Sequence, residues 1–186
     1  MGRSVGLVAI AIAVAITAPQ VSSAQTQQPY AGLQVRSIKA LSDEQIAELR
    51  AGRGMGLALP AELNGYPGPV HVLELTEPLQ LSDAQRTKVQ QLFEAMKVET
   101  VPLGEKLIAQ ESELDRQFAS KTVTEASLTT ATHAIGTTQA ALRAAHLRYH
   151  LATLKVLTPT QTQHYVELRG YAGGEHGQHR HGDHQQ

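Results

Sequence analysis

Two long stretches of this chain repeat small or apolar side chains at alternating steps of three and four residues, with only a short polar link between them. In the first, Val89, Phe93, Met96, Thr100, Leu103, Leu107, Gln110, Leu114 and Phe118 share a stripe. In the second, the stripe is Leu128, Ala131, Ile135, Thr138, Leu142, Ala145, Tyr149, Ala152 and Val156. A period held near 3.5 residues over this length implies helices packed in the manner of a coiled coil. The polar link 120–124 is too short for anything but an antiparallel return. One register then satisfies both stripes, setting Leu114 against Leu128, Leu107 against Ile135, Leu103 against Thr138, Met96 against Ala145 and Phe93 against Tyr149.

The expected fold is therefore all-α, an antiparallel hairpin of long helices over 83–119 and 125–156. Short helices flank it at 43–50, 70–77 (with Pro69 at its first position) and 159–169. Pro102 and Gly104 lie near the level of Gly136, and a mid-helix proline kinks its helix. A bent hairpin is expected on that ground.

The helix starts are written in a repeated box. Leu41-Ser42-Asp43-Glu44-Gln45, Leu81-Ser82-Asp83-Ala84-Gln85 and Leu157-Thr158-Pro159-Thr160-Gln161 each place a hydroxyl before a helix and a glutamine three residues later. The hydroxyl caps exposed backbone N–H groups and the glutamine reaches back to the N–H of the cap residue. Thr122-Val123-Thr124-Glu125 is expected to open the second long helix in the same way. Read without context, such boxes are caps and nothing more.

The start of the chain bears on location. Arg3 precedes an almost unbroken apolar run over 5–18, and small residues then lead to Ala24. This is the layout of a secretory signal cleaved after Ala24, and the run is shorter than the roughly 20 residues of a spanning helix. The expected organisation is a signal peptide over 1–24, an N-terminal extension with short helices and a Gly/Pro loop over 25–80, the hairpin domain over 81–169, and a disordered Gly/His-rich tail over 170–186. The absence of cysteine excludes disulfides, thiolate ligands and thiol catalysis. With few aromatics, the core must be thin, and dimerisation is expected to support it. A formal net charge of −1 argues against nucleic acid as a partner. No phosphate loop, nucleophile elbow or HExxH motif is present, so catalysis is not expected.

The boxes at Leu81 and Leu157, set at either end of a helical hairpin, resemble the LTXXQ-motif family of periplasmic proteins, which includes the Spy and CpxP proteins and periplasmic heavy-metal sensors. The resemblance covers roughly 81–169, with the signal peptide and the histidine-bearing tail. It implies a bent hairpin that dimerises into a cradle. It also implies one of three roles: ATP-independent chaperone, stress regulator held to a membrane sensor, or metal sensor. The chaperone members are more basic than this chain, and 34–79 has no counterpart on the family core.

Three groups of residues carry candidate chemistry. His176, His179, His181 and His184 cluster in the tail, where imidazoles can wrap zinc, copper or nickel. His146 and His150, spaced i, i+4, face one side of the second long helix. The register sets Glu94 at their level; His71 and Glu74 could complete the site, and Lys97 opposes it. The row Leu147, Leu151 and Leu154, rimmed by Arg148 and Lys155, lies off the seam. It needs cover from the N-terminal segment (Leu57, Leu59, Val72, Leu75) or a second copy, or else it serves unfolded clients.

The leading expectation is a periplasmic ATP-independent chaperone or envelope-stress binding protein of Spy/CpxP type, tuned by metal and requiring no cofactor. The alternative is a periplasmic heavy-metal sensor or metal-binding protein without chaperone activity, and a third role is structural partner of a membrane regulator. Expected partners are unfolded or envelope proteins, or that regulator, with the chain itself a homodimer.

Overall fold

The computed structural model describes residues 28–172. The expected signal peptide over 1–24 and the tail histidines His176, His179, His181 and His184 lie outside them. Residues 28–32 belong to a separate unit, and from Leu33 onward the chain forms one compact unit.

After a 3₁₀ turn at Leu33–Val35, six helices follow: α1 (Asp43–Arg50), α2 (Leu59–Glu62), α3 (Pro69–Glu74), α4 (Asp83–Ala119), α5 (Glu125–Leu154) and α6 (Pro159–Leu168). No strand forms among the described residues. The two long helices pack against each other as the stripes require, and α4 runs through Pro102 as a single helix. α2 and the opening 3₁₀ turn carry no periodic signal and were not expected from the sequence.

All three glutamine boxes form with both bonds in place. Ser42 accepts from the N–H of Gln45, Ser82 from that of Gln85 and Thr158 from that of Gln161, and each glutamine side chain returns to the cap N–H. The box that opens α5 is shifted by two residues. Its cap is Thr124, reciprocated by Ser127, while the Thr122 hydroxyl is 2.8 Å from that of Ser120. Thr124 is in extended backbone, as an N-cap must be.

The caps at Ser82 and Thr158 do more than start helices. Gln85 Nε2 donates to Gln161 Oε1 at 2.8 Å, and Gln161 Nε2 donates to Gln85 Oε1 at 3.1 Å. The same amides also donate to Val156 O at 3.0 Å and Leu79 O at 3.2 Å. The paired boxes thus lace together the open end of the hairpin, where α4 begins and α6 starts.

Two apolar clusters hold the unit. Ile38, Leu41, Ile46 and Leu49 pack with Leu107, Ile108, Ile135 and Leu142, and Leu57, Leu103 and Leu114 border them. Near the open end, Val72, Leu79, Val89, Leu157 and Tyr165 form the second. Full burial of such side chains is worth roughly 1.5–3 kcal/mol each in transfer free energy. Residues 33–80 therefore share their core with the hairpin. The approach of α1 to α4 is set by Gly104, where a Cβ would lie 2.5 Å from Leu49 O. Gly136, by contrast, faces open space.

Candidate functional site

The N-terminal segment folds across the hairpin on the face where α5 carries its histidine pair. Gly52 takes a left-handed φ of +68° as the chain leaves α1, and Thr100 Oγ1 donates to its carbonyl at 3.4 Å. The loop then lies against the imidazoles: a Cβ on Gly54 would sit 3.3 Å from His146 Nδ1, and one on Gly68 would sit 2.9 Å from His150 Cε1. A side chain at Gly68 would force the His150 ring to move, and one at Gly54 would crowd that of His146. Between loop and hairpin is an open cavity of about 870 Å³, and both histidines line it.

The two rings have different surroundings. His150 is 8% exposed, and its Nδ1 is 2.6 Å from Tyr66 O, which fixes that nitrogen as the donor. Its nearest carboxylate is Glu62, 3.8 Å away. His146 is 3% exposed, and its Nε2 is buried with no hydrogen-bond partner. Burial, and then the nearby His150, holds the His146 pKa below the ordinary histidine range. Both influences favour the neutral form of the ring.

Glu62 is the centre of a network that the sequence did not reveal. It is 5% exposed. Its carboxylate accepts from Tyr165 Oη at 2.5 Å, Tyr171 Oη at 3.2 Å and Gly68 N at 3.4 Å, with Arg169 Nε at 3.3 Å. The network ties α2 to α6 and sets the floor beside His150.

Of the residues expected to complete a metal site, several do not join it. Glu94 is exposed, accepts from Gln90 at 2.9 Å and does not line the cavity. Helical proximity to its own i−4 neighbour outweighs any reach toward α5. His71 and Glu74 do line the cavity but pair with each other at 3.0 Å. Lys97 also lines it, with Nζ 5.6 Å from the centre of the Phe93 ring. Among the described residues, no three His, Asp or Glu side chains gather in a way that could hold an ion. The cavity instead brings in Met55 and Met96, the two described methionines.

The apolar row on α5 is divided. Leu151, 51% exposed, lies in a shallow groove of about 580 Å³ with Leu92 and Val156, and Lys88, Arg148 and Lys155 surround it. Leu154 lies in a different depression with Leu157 and Val166. Leu147 is half-buried and lines neither. The N-terminal segment covers the hairpin elsewhere: Leu57 borders the first cluster, Leu75 and Val72 belong with the second, and Leu59 lines the histidine cavity.

A family model described as heavy-metal resistance matches residues 56–164. The chain belongs to that family. The match runs from the glycine loop through both long helices into α6, and so takes in Glu62, the hairpin, His146 and His150. None of the curated proteins and none of the solved structures matches the chain. The all-helical hairpin, laced at the two boxes, is the architecture expected for this heavy-metal resistance family, whose members are typically periplasmic. No helix among the described residues is long and apolar enough to cross a membrane.

Proposed function

We propose that this chain is an exported, periplasmic, non-catalytic binding protein that takes up a metal ion at the hairpin and relays its presence to a protein partner. The observation that carries this reading is His146: a buried imidazole with an unpartnered Nε2 on the wall of a cavity, in a member of the heavy-metal resistance family. A buried polar atom without a partner costs about 1–3 kcal/mol, and functional use is one reason for a fold to carry it. The tail histidines would gather ions, and the hairpin would read them.

Calorimetric titration of Zn, Ni and both oxidation states of Cu tests this in a full-length variant with His176, His179, His181 and His184 replaced by Gln. Stoichiometric binding of at least one ion should persist and be lost on adding His146→Gln. No binding of any ion to the tail variant would end the hairpin reading.

A second reading, an ATP-independent chaperone or envelope-stress binding protein of Spy/CpxP type, has support from the groove at Leu151. Three cations surround its apolar floor, and only Arg148 is paired, with Glu99 at 3.1 Å. The docking face is smaller than the sequence row implied, because Leu154 lies apart from it. Leu151→Glu should abolish suppression of client aggregation without ATP. Equal suppression by that variant would remove the groove from the reading. A homodimer and a membrane-bound regulator remain the partners proposed under either role.

A further inference from the structure

The donors around His146 are unusual for a divalent-metal site. Carboxylates are not gathered there: Glu62 is committed to two tyrosines and an arginine, Glu74 to His71, and Glu48 to Arg53 at 2.8 Å. The second imidazole donates its Nδ1 hydrogen to a backbone carbonyl, which leaves its Nε2 lone pair free for an ion. The donors on offer are thus the Nε2 atoms of His146 and His150 and two thioethers, Met96 on α4 and Met55 in the loop. Met96 is 6% exposed and so sits deep in the same wall. Met55 is held between Gly54 and Gly56 with a left-handed φ of +42°, which a non-glycine residue seldom adopts.

Donor softness decides between ions. Thioether sulfur with imidazole selects Cu(I) and its heavier congener Ag(I), whereas Zn and Ni call for more nitrogen or oxygen donors. Charge points the same way. Glu48, Glu62 and Glu74 on the cavity wall are balanced by Arg50, Arg53 and Lys97, so there is no negative excess to offset a double charge.

We infer that the cavity between the glycine loop and the hairpin is a soft-metal site, in which His146 Nε2, Met96 Sδ and Met55 Sδ, with His150 Nε2 as the second nitrogen, take a monovalent copper or silver ion. This deepens the proposed metal-binding role and rests on it. Phe93, half-buried on the cavity wall, would limit water on the hairpin side of the ion.

The test uses the full chain, labelled at the methionine ε-methyl groups, with Ag(I) as a redox-inert probe. One equivalent should shift the Met55 and Met96 methyl resonances and the His146 ring signals together. Met→Leu keeps volume and packing at a cost usually under about 1.5 kcal/mol. Met96→Leu and Met55→Leu should therefore fold, yet each should weaken Ag(I) by more than the roughly 10-fold lost when a metal's outer partners are disturbed. Zn affinity in the same variants should not change. Methyl signals that stay still while Zn or Ni moves the His146 ring would overturn the soft-metal assignment and leave the metal-binding role standing. A His146 ring unmoved by any ion would end both. A double Leu variant that binds Ag(I) as tightly as the parent would also overturn the assignment.

Discussion

At the scale of single residues, Glu62 and His146 show two ways of burying a polar group. Glu62 is surrounded by donors, and the arrangement depends on Tyr165 staying protonated. Burial first, then the hydrogen bond to Glu62, pushes that hydroxyl well above the ordinary tyrosine range, so it donates at any physiological pH. Tyr165→Phe should remove the shortest of these bonds without a change of shape, leaving Glu62 to Tyr171, Arg169 and Gly68. Loss of one partner from a buried carboxylate costs about 1–3 kcal/mol, readable as a lowered denaturant midpoint. A midpoint within the scatter of surface substitutions, about 0.5 kcal/mol, would mean the remaining donors suffice. The sequence could show His146 and His150 because helical spacing alone sets them on one face. It could not show Glu62, whose side-chain partners Tyr165, Arg169 and Tyr171 lie more than a hundred residues away, in and just after the helix that follows the hairpin. Nor could it pair Met55 with Met96, because that needs the path of the glycine loop. Glu94 was misplaced for the same reason: register gives the level along a helix pair, but not whether a side chain reaches across.

Elements were far more legible, since their ends are governed by neighbours in sequence. α1 and α4 have the bounds that the caps and stripes give, and α3, α5 and α6 differ from expectation only at an end. The start of α5 illustrates the limit. Thr122 and Thr124 both suit a cap, and Ser127 at the third helical position decides for Thr124. Glycines in the hairpin could not be ranked by sequence at all. Gly104 and Gly136 look alike as breaks in two stripes, yet one meets the Leu49 carbonyl and the other meets nothing. Their alanine variants should therefore move stability in opposite directions. Gly104→Ala forces α1 from α4 and should cost about 1–3 kcal/mol, as overpacking does. Gly136→Ala fills no occupied space in an exposed mid-helix position and should stabilise by about 0.5–1 kcal/mol. Thermal unfolding of the pair checks this, and a shared sign would contradict the packing assigned to α1. Because α1 leads directly into the glycine loop, Gly104→Ala should also disturb the methionine signals in the cavity, which Gly136→Ala should leave alone.

Across the whole molecule, cover is unevenly distributed along the hairpin. Its middle carries α1, and its open end carries α3, α6 and the glutamine lacing. Toward the turn, the two helices have little beyond each other. Phe118 is 54% exposed, Leu128 is partly exposed, and Gln110 Oε1 and Gln117 Oε1 are buried without partners. α5 is also rich in threonine there. Thr129, Thr130 and Thr132 each donate to the carbonyl four residues back, which competes with the helix's own bonding. β-branched residues further weaken helix propensity. Local opening should thus begin at the turn and stop at the first layer of cover. Amide hydrogen exchange should give a lower opening free energy for 126–134 than for 142–153, where His146 and His150 sit against the N-terminal segment and Thr153 is fully buried. Equal protection along α5 would mean that the hairpin seam alone sets its stability and that the N-terminal layer contributes only shape. The gradient also separates local from global effects of an ion. Binding at the cavity should raise protection over 142–153 and in the loop 52–56, while the turn, which shares no ligand with it, should go on exchanging as before.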